Sequence, residues 1–138
     1  MNICDIMKRD VQFISPNTSA KEAARIMHDQ HIGILPVVEN DQLVGMITDR
    51  DICCKVTAMG RDAVMTQIHE VMAKNVATCS TDQELSDVAY LMANKQIHRI
   101  AVLDNKNRLA GILSIDDLAH SSHDLASTIL EASAAPMH

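Results

Sequence analysis

The second half of this 138-residue chain repeats the first. Asp5 to Gln42 lies on Glu70 to Asn107 at a constant offset of 65, and one added residue then makes the offset 66. Identities fall at Met7 and Met72, Val11 and Val76, Ser15 and Ser80, Ala24 and Ala89, Met27 and Met92, Ile32 and Ile97, Val37 and Val102, and Asn40 and Asn105. Beyond the insertion Leu43 meets Leu109, Gly45 meets Gly111, and Asp51 meets Asp117. A duplication of this size limits the fold. Neither copy alone has enough apolar surface for a comfortable core, so the two are expected to pack sheet against sheet around a pseudo-twofold axis.

Each copy predicts the same order: a short strand near Val11 or Val76, a helix, two strands and a second helix. Ala20, Ala23, Ala24 and Met27 follow the spacing of a helix with one buried face, and Leu85, Val88, Ala89 and Met92 repeat it. Ile32 to Val38 and Ile97 to Leu103 read as buried strands rich in β-branched residues. The polar turns ENDQ and DNKNR lead into Leu43 to Ile47 and Leu109 to Leu113, which makes each pair a hairpin. The second helices begin at Asp49 and Ile115. The fold class is therefore mixed α/β (α+β). The expected division is 1–60 for the first repeat, 61–67 for a connector, 68–125 for the second repeat, and 126–138 for a helical extension or tail, with 121–135 continuing the last helix.

The composition is globular, 47% hydrophobic, with nine Met filling a core that has no Trp and only one Phe and one Tyr. A net charge of −6 offers no basic stripe to nucleic acid. No run reaches the roughly 18 apolar residues of a membrane span, and the start MNICDIMKRD lacks a signal-peptide run, so the expected location is the cytoplasm. Cys4, Cys53, Cys54 and Cys79 show no paired CxxC spacing and read as free thiols.

Thr48-Asp49-Arg50-Asp51 and Ser114-Ile115-Asp116-Asp117 each put a hydroxyl where a strand turns into a helix, with a carboxylate three residues on. One reading is a capping box. The other uses the same geometry for a ligand: backbone N–H groups and the hydroxyl meet a phosphate, and the carboxylate accepts both hydrogens of a ribose cis-diol.

The string HIGILPVVENDQLVGMITDRDI, with QIHRIAVLDNKNRLAGILSIDDL in the second copy, resembles the cystathionine beta-synthase (CBS) domain: a strand ending in Pro-Val, a hairpin, then Gly-x-hydrophobic-Thr/Ser-x-x-Asp-hydrophobic. The resemblance runs from about Ile3 to His120. It implies a tandem sensor module with two clefts for adenosyl ligands, AMP, ADP and ATP among them. Such a module pairs into a homodimer and acts on an unknown protein partner in trans. In one cleft it implies ligand contacts at Ile14, Ser15, Gly33, Ile34, Pro36, Thr48, Arg50 and Asp51. In the other it implies Cys79, Ser80, His98, Arg99, Ile100, Ser114 and Asp117, with Thr48 and Ser114 toward phosphate and the two Asp on ribose. His98-Arg99 is similar to the phosphate-facing pair of a nucleotide-sensing kinase subunit, and an Arg suits that task. Two departures make the clefts unequal: Gly33-Ile34 replaces His-Arg in the first copy, and in the second Ala101 stands at the Pro position with Asp116 beside the ribose Asp.

Two other classes stand beside the sensor. His120 and His123 at i, i+3, with Cys54 at the position aligned with His120, raise a metal site, although the spacing matches no zinc signature; a purely dimerising protein without nucleotide is the remaining alternative. His28, His31, His69 and His138 are given no role. No nucleophile with its base, GxxxxGK loop or metal triad is present, so the chain reads as a non-enzyme.

Overall fold

The structure is a computed structural model, described here for residues 2–133. In chain order its elements are α1 (Ile3–Ile6), α2 (Ala20–Gln30), β1 (Ile34–Glu39), β2 (Gln42–Thr48), α3 (Asp49–Ile52), which runs into a π-helical turn (Cys53–Thr57), and a 3-10 turn (Ile68–Glu70). There follow β3 (Thr78–Ser80), α4 (Leu85–Lys95), β4 (Arg99–Leu103), β5 (Leu109–Ser114), α5 (Ile115–Ser121) and α6 (His123–Ser133). They gather into two compact units, Gln12–Val76 and Met1–Val11 with Ala77–His138.

These contact units are a different division from the sequence repeats expected at 1–60 and 68–125, with 61–67 and 126–138 beside them, because each unit takes in a segment of the other repeat. The reason lies in strand pairing. Lys8 bridges Ile112 on β5, and Ala73 bridges Met46 on β2, so the opening segment of each sequence repeat completes the other repeat's hairpin. Glycine permits both joints. A Cβ on Gly45 would meet the Ala73 carbonyl at 2.6 Å and the Met72 sulfur at 2.7 Å, and one on Gly111 would overlap the Lys8 carbonyl and the Met7 sulfur. The internal identities Met7/Met72 and Gly45/Gly111 are thus halves of one contact made twice.

In the unit Gln12–Val76, β1 and β2 pair antiparallel, with Leu35 opposite Ile47 and Val37 opposite Gly45. Leu35, Val37 and Ile47 are fully buried and pack with Ala20, Ala23 and Met27 of α2, Val56 and Ile68. Ser19 starts α2 by accepting from the Glu22 N–H at 3.1 Å, and His31 ends it in the left-handed region at φ 55°. Positive φ at both Asn40 and Asp41 makes the two-residue loop the primed turn that matches strand twist. The expected connector is not slack: the Thr66 carbonyl accepts from Ala20 N–H, that of Ala63 from Lys21 N–H, and Thr66 is buried.

The other unit has a three-stranded sheet in the order β3-β4-β5, parallel then antiparallel. Its short strand lies at Thr78–Ser80, two residues beyond the expected Val76, and in the first repeat the counterpart is a single bridge from Ile14 to Val37. Its hairpin loop holds the inserted residue. Asp104 accepts from the N–H groups of Lys106 and Arg108 at 2.8 and 2.9 Å, and the Arg108 amide is the main cause of a carboxyl pKa held below its ordinary value.

The last helix departs from expectation. Ser122 is extended (φ −154°, ψ 105°), so α5 stops and α6 begins as a separate helix, with the Ser122 hydroxyl accepting from Leu125 N–H at 3.3 Å. Ala126 and Ile129 join the core of Val88, Met92, Ile100, Leu113 and Leu118. Packing on α4 and α5, not continuation of α5, orders this segment. Residues 134–138, part of the expected tail and including His138, lie outside the described residues.

Candidate functional site

Backbone pairing gathers each set of candidate residues within one unit. In Gln12–Val76, Ile34 stands opposite Thr48, Asp49 N–H donates to the Gly33 carbonyl at 2.9 Å, and Ile14 N–H to that of Pro36 at 3.0 Å. Ser15 follows Ile14. The candidates therefore form a strip from Ser15 to the start of α3, roughly four residues or about 13 Å of strand. Since cross-strand partners share a face, Ile34 and Thr48 look away from the core face of Leu35 and Ile47. The second strip repeats this, with Arg99 opposite Ser114, Ile115 N–H on the His98 carbonyl at 2.8 Å, and Ser80 opposite Leu103.

Some candidates are built into the fold. Ile100 is fully buried among Val88, Met92 and Leu113, so only its backbone lies along the strip; Ile14 and Cys79 are core residues too. Burial pushes the Cys79 thiol up to about 11. Pro36 is buried. The Ser15 and Ser80 hydroxyls each accept from the N–H two residues on, Asn17 and Asp82, both at 3.2 Å. That local turn accounts for the identity of these two serines.

Both helix starts form a complete capping box. Asp51 N–H donates to the Thr48 hydroxyl at 3.1 Å while Thr48 N–H donates to Asp51 Oδ2 at 3.0 Å. Asp117 N–H donates to the Ser114 hydroxyl at 3.1 Å, and Asp117 Oδ2 accepts from both Ser114 N–H and its hydroxyl at 2.9 Å. The capping reading of these motifs is realised, with Asp in the place usually held by Glu or Gln. One oxygen of each carboxylate is used. The other is what a ligand can find.

That second oxygen separates the two sites. Asp51 Oδ1 is 3.2 Å from the Lys55 ammonium, which also donates to the Val71 carbonyl at 3.2 Å. Among the described residues, both hydrogen bonds to the Asp117 carboxylate fall on Oδ2, and no cation pairs with its Oδ1. Asp49 adds a second difference. Its Oδ1 accepts from Arg50 N–H at 2.8 Å, and a Cβ on Gly33 would come 3.0 Å from its Oδ2. Ile115, aligned with Asp49, has no carboxylate to offer Asp116 N–H. Arg50, His98, Arg99 and Asp116 are exposed. Sequence reading passed over Lys55 and Asp49; the i, i+4 spacing of Asp51 and Lys55 was the available signal.

The metal candidates gain no support from geometry. Cys54, His120 and His123 are exposed, and among the described residues no group of three or more His, Cys, Asp or Glu is placed to hold an ion. Among the same residues no helix is long and apolar enough to cross a membrane. An apolar groove of about 430 Å³ lies over α2 and α3, lined by Ala24, Met27, Ile32 and Ile52 with His28, Asp49, Cys53 and Thr57.

Two α/β units, each a hairpin feeding a helix whose hydroxyl cap holds a carboxylate, define a tandem-repeat α/β module. The chain belongs to the CBS domain family, whose model matches residues 3–56 and 68–124. It is 41% identical over 118 residues to the CBS domain-containing protein YhcV of Bacillus subtilis, covering 86% of this chain and 83% of that protein. The conserved CBS domain protein TA0289 of Thermoplasma acidophilum shares the fold at a TM-score of 0.84 and 25% identity, over 100% of this chain and 79% of that one. The CBS domain pair of protein MJ0100, solved with 5′-methylthioadenosine and S-adenosyl-L-methionine, aligns at a TM-score of 0.77 and 30% identity, over 90% and 97% of the two chains.

Proposed function

We propose that this chain is a regulatory module that binds an adenosyl ligand along the strand-to-helix strips and acts on a protein partner in trans. The carrying observation is Asp117: its cap engages Oδ2 alone, which leaves Oδ1 to accept from a ribose diol, with Arg99 on the paired strand. The likeness to a CBS pair solved with two adenosyl compounds supports the ligand class. In this reading Asp117 and Asp51 hold ribose, Ser114, Thr48 and Arg99 face the 5′ group, and Ser15 and Ser80 mark the adenine ends. AMP, ADP and ATP are taken with S-adenosylmethionine and 5′-methylthioadenosine as one class, sharing base and diol.

Calorimetric titration with these five compounds tests the proposal. Asp117→Asn keeps size and most of the cap but removes the charge that holds the diol. A hydrogen bond to a charged group contributes roughly 1.5–3 kcal/mol, so affinity should fall by about tenfold or more. Wild-type protein that binds none of the five, or Asp117→Asn that binds like wild type, ends the reading.

Self-association belongs to the same proposal, supported by the apolar groove over α2 and α3. A homodimer formed through that face should be lost on Ala24→Arg. Sedimentation that finds wild type monomeric at tens of micromolar, an order-of-magnitude working range for modest interfaces, contradicts it.

A further inference from the structure

We infer that Lys55 is an internal competitor for Asp51, so that the first repeat's ribose site is masked by the chain itself while the second repeat's site is open; this rests on the adenosyl reading above. The duplication supplies the control. Asp51 and Asp117 occupy equivalent places in matching capping boxes, which differ in the bond from the Ser114 hydroxyl to Asp117 Oδ2; the outer oxygens differ through their neighbours.

One turn further along, the neighbours differ. At the i+4 position the first repeat has Lys55, and the second has Ser121. Lys55 sits 3.2 Å from Asp51 Oδ1, the oxygen left over by the cap. Its ammonium is held on the far side by the Val71 carbonyl, also at 3.2 Å, so two acceptors fix it in place. Ser121 turns to its own backbone instead, donating to the Asp117 carbonyl at 3.4 Å. It brings no charge to Asp117. A diol that approaches Asp51 Oδ1 therefore competes with an ammonium already there, whereas at Asp117 Oδ1 no cation among the described residues stands in its way.

The mask is of moderate strength. The Lys55 side chain is 48% exposed and that of Asp51 19%, so solvent screens the pair. Pairs of this kind contribute up to about 1 kcal/mol, which converts to at most about a fivefold change in affinity. A site masked to that degree reaches half-filling at up to about fivefold more ligand than the open one, so the two together respond over a wider concentration range than either alone.

Exchange of the two residues tests the inference, with 5′-methylthioadenosine as a neutral probe and AMP as an anionic one. Ser121→Lys should weaken the Asp117-dependent binding of 5′-methylthioadenosine by about threefold to fivefold. Lys55→Ser, in an Asp117→Asn background that leaves only the first site, should tighten it by the same factor. Added salt should tighten binding in the Asp117→Asn protein and not in the double variant, because it screens the ion pair. Thermal melting checks that each variant folds, and Lys55→Gln serves if serine does not. If Asp117→Asn costs affinity but both exchanges leave 5′-methylthioadenosine unaffected, the inference falls and the adenosyl reading stands. A Lys55→Ser change that weakens AMP alone makes Lys55 a phosphate ligand and overturns the mask. If Asp117→Asn costs nothing, both fall.

Discussion

The starts of α3 and α5 carry the same cap, with hydroxyl to N–H distances of 3.1 Å in both and backbone to carboxylate distances of 3.0 and 2.9 Å. Around that shared frame they diverge. At α3 the Asp49 carboxylate takes Arg50 N–H and lies against Gly33, and Lys55 holds the outer oxygen of Asp51. At α5 an isoleucine stands where Asp49 would be, Arg99 faces Ser114 across the strands, and among the described residues no cation pairs with the outer oxygen of Asp117. Two copies of one motif thus satisfy the same structural demand with different oxygens left over: Asp51 has one partner on each oxygen, and Asp117 has both on Oδ2 among the described residues. A cap needs one oxygen of the carboxylate; a diol needs the other.

Beyond the helix starts the two units differ in how their second helix is covered, and that gives the largest expected effect. In the second repeat Ile129 of α6 is fully buried against α4, whereas the first repeat leaves an open groove over α2 and α3. Ile129→Ala should destabilise by about 2–5 kcal/mol in urea unfolding. Ile26→Ala, at a half-buried position of α2, should cost clearly less. An Ile129→Ala loss as small as that expected of Ile26→Ala would mean that α6 is dispensable to the core.

The thiols sharpen the same contrast. Cys53 and Cys54 are exposed, while burial raises Cys79 from 9.0 to about 11. A raised thiol pKa favours the neutral form, so Cys79 gains reactivity only as pH climbs from 9 toward 11. At pH 8, iodoacetamide followed by peptide mass mapping should label Cys79 at least about tenfold more slowly than the exposed Cys53 and Cys54, because it is buried and its raised pKa leaves little thiolate. Comparable labelling of all three would show Cys79 accessible.

Next come the glycine joints. Gly45→Ala and Gly111→Ala each place a methyl group against backbone, so each should destabilise by about 1–3 kcal/mol. If only one does, the two joints are not equivalent despite their matching residues. The smallest effect belongs to the caps. Thr48→Ala and Ser114→Ala should each cost about 1 kcal/mol in stability, with Ser114→Ala the costlier because its hydroxyl also donates to Asp117 Oδ2. A difference well beyond that would show that the local frames are less alike than their geometry.

Much of the architecture was present in the residue pattern. The 65-residue offset, the faces of α2 and α4, both hairpins and both hydroxyl–carboxylate caps follow from spacing, because helix periodicity, turn chemistry and capping act over three or four residues. Even the shift from 65 to 66 has a local address in the longer loop after Leu103. What spacing did not reveal depended on residues far apart in the chain. It placed the short strands too early, since Ile14 and Thr78–Ser80 are defined by pairing with β1 and β4. It ran α5 into α6, since the break at Ser122 is stabilised by the packing of Ala126 and Ile129.

The candidate site divides in the same way. Sequence alone determined that Thr48, Asp51, Ser114 and Asp117 sit at helix starts, and it offered capping and ligand binding as equal uses of them. Only the tertiary structure decided that Met7 and Lys8 complete the hairpin of the second repeat, that Ile100 turns into the core, and that Lys55, anchored by a carbonyl 16 residues away, occupies Asp51. The physical reason is that a carboxylate's identity is fixed by the chain, but its free valence is fixed by whatever packing brings within hydrogen-bond reach.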